Sequence, residues 1–226
     1  MAPPLRALLF DLDGTLVDTA PDLAAAVNQM LMSRGRDPLP LAKLRPYVSR
    51  GARGMVGTAF GLAPGDEGYE PLRAEFISVY AESLCVHSTL FPGMAELLDE
   101  IEARALPWGV VTNKAERLAR PILETLGIDT RSAILVGGDT CARAKPHPDP
   151  LLHAAERLGV APEFTLYVGD DLRDVEAARA AGMPVLAAGY GYLGDGEGPH
   201  AWGADAVVDS PLHIAHWCGW MGAPRL

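Results

Sequence analysis

Cysteine is scarce in this 226-residue chain: Cys85, Cys141 and Cys218 are the only three, far apart and without a CxxC pair. Such spacing gives neither a disulfide framework nor a zinc-site pattern, and it fits inert thiols in a reducing compartment. Basic charge is also short, with 19 Lys and Arg against 29 Asp and Glu and a formal net charge of -10. This balance argues against nucleic-acid or anionic-membrane partners, because phosphate-rich surfaces are bound by basic ones. No apolar run approaches bilayer-spanning length, and Ala7 to Phe10 is too short for a signal-peptide core before Asp11 interrupts it. The expectation is therefore a cytoplasmic protein. Internal repeats and low-complexity tracts are missing too. At 49% hydrophobic residues the chain can bury a sizeable core as one domain, or one domain with an insertion.

What is present is concentrated near the start, in Leu8-Leu9-Phe10-Asp11-Leu12-Asp13-Gly14-Thr15. A short apolar run that reads as a buried strand ends in two carboxylates and a glycine. Asp11 and Asp13 stand at i and i+2, so in extended backbone they share a side. Gly14 turns without a Cβ penalty, and Thr15 can bond back into the turn. Two acids so close repel unless a metal, a basic side chain or a shared proton lies between them. An ordinary Asx-turn leaving a strand explains the same pattern, so the rest of the chain has to decide.

From residue 19 to residue 88 the pattern is helical, with no convincing strand. Leu23, Val27, Met30 and Leu31 recur at helical spacing, Pro21 suits a first helical turn, and Gly35 follows the end. Further helical pieces read from Leu41 to Tyr47, Gly54 to Phe60 and Tyr69 to Leu84. Phe91-Pro92-Gly93 punctuates the chain, and a new rhythm follows. Helices at Met94–Ala103, Glu116–Leu126, Pro150–Leu158 and Leu172–Ala181 alternate with strands at Trp108–Thr112, Ala133–Val136, Phe164–Gly169 and Pro184–Ala187. Such alternation predicts βαβ units: an α/β fold with a Rossmann-like parallel sheet and an all-helical insertion after the first strand. Gly189 to Pro199 lacks the Lys-Ser/Thr ending of a phosphate-cradling loop and reads as a mobile surface loop. For Trp217 and Trp220, packing on the core and packing on another subunit are both open.

Polar groups recur at the ends of the later strands: Thr112-Asn113 after Val110-Val111, Gly169-Asp170-Asp171 after Val168, and Lys145 in a Pro-rich loop after Val136. In a parallel sheet these ends share one edge, where ligands settle. The inventory suits phosphoryl transfer. A hard cation such as Mg2+ can take oxygens from Asp11, Asp170 and a backbone carbonyl near Asp13. With Lys145 also neutralising charge, a carboxylate becomes a feasible nucleophile toward a phosphate, and Asp13 a proton donor to the departing alkoxide. Thr112 and nearby amides can hold the equatorial oxygens.

These motifs, DLDGT at 11–15, VVTN at 110–113, Lys145 in AKPHPDP and VGDDLRD at 168–174, occur in this order. The chain resembles the haloacid dehalogenase superfamily of phosphohydrolases over essentially its whole length. The resemblance implies that Asp11 is the nucleophile, Asp13 the acid/base, Thr112 the phosphoryl-binding hydroxyl and Lys145 the charge neutraliser. It implies Mg2+ held by Asp11, Asp170 and the Asp13 carbonyl, with Asp171 and Asp174 ordering the metal's waters. It further implies a catalytic core of residues 1–17 and 89–226 and a helical cap of residues 18–88 that closes over the crevice. Arg50 and Arg53 in the cap, with Asn113 and Lys114 behind the second motif, are the candidate substrate contacts; for the arginines, ordinary solvation is the competing reading.

Asp13 separates the chain from true dehalogenases, which lack the second acid, although a sugar phosphomutase would keep it. A non-catalytic binding module on the same fold is the other alternative. The implied substrate is a small phosphorylated metabolite. The overall pattern is closest to the phosphoglycolate phosphatase-like group. Trp108–Lys114, Gly169–Asp174, Tyr190-Gly191-Tyr192 and Trp202–Asp205 also resemble a bacterial subset acting on N-acetylmuramic acid 6-phosphate in cell-wall recycling. Oligomeric state has no signal in the sequence.

Overall fold

A computed structural model describes residues 5–220 of the chain. The first strand, β1 (Ala7–Phe10), is buried along its whole length. The chain then forms β2 (Val17–Asp18), which pairs antiparallel with β3 (Thr89–Leu90). Between these two strands lie four helices: α1 (Ala20–Met32), α2 (Leu41–Leu44), α3 (Gly51–Phe60) and α4 (Tyr69–Glu82). After β3 come α5 (Met94–Ala103), β4 (Trp108–Val111), α6 (Glu116–Thr125), β5 (Ile134–Val136), α7 (Asp149–Leu158), β6 (Thr165–Gly169), α8 (Leu172–Ala181), β7 (Val185–Ala188), β8 (Ala206–Val208) and α9 (Pro211–Trp217). None of the described helices is long and apolar enough to cross a membrane.

Six strands form one sheet in the order β5-β4-β1-β6-β7-β8, every neighbouring pair parallel. From β1 the chain builds outward through β4 and β5, then crosses to the other side for β6, β7 and β8. The strand order therefore reverses beside β1, and a crevice opens there beyond the strand ends. Register makes the crevice well defined: Phe10 lies level with Val110 and with Val168, so the residues that follow these strands emerge side by side.

Strand alternation divides the core. Leu8, Phe10, Val110, Leu166 and Val168 face one layer, whereas Leu9, Val111, Tyr167 and Val185 face the other. On the first face the apolar cluster continues into α1, α5 and α9, and on the second it is closed by α7 and α8. The helical segment is pinned where it begins and ends. Asp22 on α1, buried, accepts hydrogen bonds from the backbone N–H of His87 and Ser88 at 2.8–3.1 Å and from Ser88 Oγ at 2.6 Å.

Several local expectations need correction. The helix expected over Leu41–Tyr47 stops at Leu44 and tightens into a 3-10 turn over Arg45–Arg50. Pro46, at its start, has no N–H to continue an α-helical ladder. The loop after β7 is not wholly a mobile surface loop: Tyr192 is buried, and Gly191 packs so tightly that a Cβ would stand 2.3 Å from Asp170 Cβ. The short ribbon of β2 and β3, the edge strand β8 and the helix α9 carry no pattern long enough to read in the sequence. Trp217 and Trp220 settle against the core, Arg104 lying over the Trp220 ring at 5.3 Å.

Candidate active site

The strand ends bring four of the expected groups together. Asp11 follows β1, Thr112 follows β4, Asp170 follows β6, and Lys145 reaches in from the loop before α7. All four are buried. Lys145 Nζ lies 3.0 Å from Asp11 Oδ1 and 2.7 Å from Asp174 Oδ1, and it donates to Val111 O at 2.9 Å and Tyr167 Oη at 2.7 Å. Its contact with Asp11 is an ion pair without hydrogen-bond alignment, so Asp11 Oδ1 is left with no hydrogen-bond partner.

Burial pushes the Asp11 carboxyl up to about 6; Lys145 pulls against this, and Asp174 and Asp13 add to it. Asp170 is driven well above the usual carboxylate range, first by burial and then by Asp11 and Asp174. Burial opposes the Lys145 charge as well, but Asp11 and Asp174 outweigh it and raise the ammonium above its ordinary value. Ligand atoms of Asp11, Asp170 and Asp174 lie within 4.8 Å of one another. Two buried carboxylates, Asp11 and Asp174, thus share one ammonium, and Asp170 stands beside them without a cation partner among the described residues. A hard divalent cation fits that donor set and its charge deficit.

Asp170 is held from several directions. Its Oδ2 accepts from Tyr192 N at 2.8 Å and Ser49 Oγ at 3.0 Å, and Thr15 Oγ1 donates to Oδ1 at 3.4 Å. Gly14, at φ +89°, allows this approach, because a Cβ there would sit 2.1 Å from Asp170 Oδ2. Asp171 and Asp174 diverge. Asp171 caps α8 and pairs with Arg173 at 2.7 Å, which lowers its carboxyl despite burial. Asp174 instead turns inward beside Asp11, where it also accepts from Tyr167 Oη at 3.1 Å.

Asp13 borders the same cavity as Asp11 but pairs with a different lysine. Both its oxygens face Lys114 Nζ, at 2.8 and 2.9 Å, and Oδ1 also accepts from Thr19 Oγ1. Burial opposes the Lys114 charge, yet Asp13 prevails and raises it. Thr112 Oγ1 accepts from Lys114 N at 3.2 Å, which leaves its own proton to donate. Asn113 grips the backbone of Lys145, donating to Lys145 O at 2.9 Å and accepting from Lys145 N at 3.0 Å. Of the two expected cap arginines, Arg50 pairs with Asp195 and lies over the Tyr47 ring, whereas Arg53 stands exposed.

Every site residue expected from the sequence except Asp170 borders one cavity of about 390 Å3. Its floor is the acid and lysine cluster, and its walls come from α3, α4 and α6. Sequence reasoning missed Tyr167 and Tyr192. Tyr167 lies in the middle of a buried strand, and its only sequence signal was a polar atom in an apolar run. Tyr192 Oη accepts from Thr19 N at 2.8 Å and Ala20 N at 2.9 Å and donates to Asp18 Oδ1 at 2.9 Å, so it ties Asp170's loop to the start of the helical segment.

An open α/β sheet with an acid-rich crevice at its switch point, a buried lysine and a cavity above them is the arrangement of a strand-end active site. Residues 8–188 match the haloacid dehalogenase-like hydrolase family, and the chain belongs to it. It is 50% identical over 210 residues to N-acetylmuramic acid 6-phosphate phosphatase of Pseudomonas putida, covering 93% of this chain and 94% of the relative. It is also 50% identical over 216 residues to phosphoglycolate phosphatase of Xanthomonas campestris, covering 95% and 97%. Among solved structures, a protein of Haemophilus somnus described as a predicted phosphoglycolate phosphatase superposes with a TM-score of 0.83 at 29% identity, covering 95% of this chain and 98% of that one.

Proposed function

We propose that the protein is a Mg2+-dependent phosphomonoester hydrolase that works through an aspartyl-phosphate on Asp11. The observation that carries this reading is Asp11 itself: a buried carboxylate at the switch point that borders the cavity, with Lys145 Nζ 3.0 Å from its Oδ1. In this reading Asp11, Asp170 and the backbone carbonyl of Asp13 hold the cation, and Asp174 stands close enough to join them or to order its waters. The bound ion supplies charge neutralisation and polarises a phosphoryl oxygen.

Asp11 attacks phosphorus, the bond to the leaving oxygen breaks, and Asp13 donates a proton to that oxygen. Asp13 then takes a proton from water as the water attacks the phosphorus, which releases phosphate and restores Asp11. Thr112 donates its free hydroxyl proton to an equatorial oxygen, and Lys145 offsets the charge of the phosphate beside Asp11. Lys114 and Thr19 aim Asp13, while Asn113 fixes Lys145 through its backbone and also borders the cavity.

The helical segment of residues 18–88 acts as a cap over a core of residues 1–17 and 89–226. Support comes from the two-residue ribbon of β2 and β3, which lies where the boundaries fall, and from the cavity enclosed between α3, α4 and α6. The substrate is a small phosphorylated metabolite, with phosphoglycolate the first candidate by likeness to the named relatives. Cavity size favours a second reading, N-acetylmuramic acid 6-phosphate. At ~30 Å3 per water molecule, 390 Å3 holds about a dozen waters, and a two-carbon ester would leave much of that space unfilled. The test is phosphate release from both esters by the purified enzyme with and without Mg2+. Asp11→Asn is expected to abolish it; persistence of Mg2+-dependent turnover in that variant defeats the reading.

A further inference from the structure

Among the described residues only two buried side-chain polar atoms lack a hydrogen-bond partner, Asp11 Oδ1 and Tyr80 Oη, and both residues line the same cavity. The first belongs to the floor. The second comes from α4 in the opposite wall and needs its own account, because buried hydroxyls are almost always satisfied. Tyr80 is 2% exposed, its ring lies parallel to Phe76 at 6.2 Å, and Lys114 Nζ stands 4.8 Å from the ring centre. Burial pushes the phenol up to about 12 even with Lys114 nearby, so it is a donor at neutral pH. Lys114 in turn holds Asp13, which puts the Tyr80 hydroxyl on the side where a leaving group would depart.

The wall cations are equally uneven. Arg50, Arg73 and Arg173 have carboxylate partners in Asp195, Glu70 and Asp171. Arg53 on α3 and Arg117 on α6 also line the cavity, and no carboxylate of the described residues pairs with either. In a chain of net charge -10, two cavity-wall guanidinium groups without a counterion stand out. They also come from separate parts of the chain, one from α3 between β2 and β3 and one from α6 after β4.

We propose that Tyr80, Arg53 and Arg117 form a leaving-group subsite that selects phosphomonoesters with a bulky, carboxylate-bearing leaving portion. Tyr80 Oη donates to an oxygen of that portion close to the ester, and the two arginines take its carboxylate. This rests on the phosphatase reading of the floor and adds to it the residues that choose the substrate.

The experiment compares N-acetylmuramic acid 6-phosphate with N-acetylglucosamine 6-phosphate, which lacks only the lactyl ether and its carboxylate, in full-length enzyme with Mg2+. Wild type is expected to favour the acid. Arg53→Ala combined with Arg117→Ala is expected to lower the ratio of the two kcat/KM values by at least about tenfold, through KM. Tyr80→Phe, which keeps the packing on Phe76, is expected to raise KM about tenfold for both sugars and leave their ratio in place. The inference is overturned by an unchanged ratio in the arginine variant, by wild-type kinetics in Tyr80→Phe, or by a wild-type kcat/KM higher for phosphoglycolate than for the sugar acid. Failure of the phosphatase reading looks different: wild type would then release no phosphate from any of these esters.

Discussion

The floor and the walls of the cavity are built on opposite terms. On the floor, Lys145 makes four polar contacts of 3.0 Å or less, Asn113 holds its backbone, and Asp170 accepts from three directions. On the walls, Arg53 and Arg117 are exposed and Tyr80 Oη has no partner. The floor is satisfied by the protein, apart from Asp11 Oδ1, which has the Lys145 ion pair and no aligned hydrogen bond. The walls are left for the ligand to complete. Preorganised groups lower a barrier because they need no rearrangement at the moment of reaction, whereas open groups discriminate because a wrong ligand leaves them unpaired. One cavity therefore separates reaction chemistry from choice of substrate by how much of each is already bonded.

The sharpest way to break this contrast is at Asp11. Asp11→Asn is expected to reduce kcat by roughly 10^4 or more, measured as Mg2+-dependent phosphate release, since a nucleophile is not replaced by its neighbours. Lys145→Ala should damage both activity and folding. It leaves Asp11 and Asp174 buried without a counterion, and urea denaturation is expected to show a loss of about 3–5 kcal/mol. Mg2+ should recover part of that loss. A Lys145→Ala variant as stable as wild type would mean that the floor is not the tightly coupled unit described above.

Titration gives a smaller effect with a definite sign. The Asp11 carboxyl is raised from its ordinary 3.8 to about 6, so the metal-free folded state keeps a proton that the unfolded chain has released. Stability from this group is fully present below about pH 4 and is lost as pH rises through about 6. The difference in thermal midpoint between wild type and Asp11→Asn, followed across that range in chelator, should shift in the direction of relative wild-type destabilisation at higher pH. Tyr192→Phe strands the N–H of Thr19, leaves that of Ala20 only its 3.3 Å bond to Asp18 Oδ1, and is expected to cost about 1–3 kcal/mol in denaturant titration. Arg50→Ala should be the mildest. Its pair with Asp195 is solvent-exposed, and its loss is expected to stay within about 0.5 kcal/mol.

Much of the floor was legible in the chain because parallel strands deliver their following residues to one edge. Asp11, Thr112 and Asp170 are each announced by an apolar run that ends in a polar residue, Lys145 stands in the Pro-rich loop after another such run, and the sheet order brings them together. The helices α1, α5, α6, α7 and α8 were legible for a similar reason, since their apolar spacing is local. Other features had no local signal. Tyr167 became polar machinery only because strand alternation turns it to the face where Lys145 lies. Tyr192 and Gly191 sit in a glycine-rich stretch whose composition says loop, and only the approach of Asp170 makes them part of the site. The loss of α-helical character after Leu44 was readable at Pro46, whereas β8 and α9 are too short for periodicity to declare.

Fold class, the strand-end acids and the family resemblance can be read along the chain, because strand ends, turn residues and helical spacing are written within a few positions of one another. Tertiary structure decided the division of labour. It turned Asp171 to Arg173 and Asp174 to Lys145, gave Lys114 to Asp13 and Asn113 to the Lys145 backbone, and left Arg53, Arg117 and Tyr80 open. Adjacent carboxylates and neighbouring cations are equivalent along a chain. They become different only when burial and the nearest opposite charge, often a hundred residues away, set the cost of leaving each one unpaired.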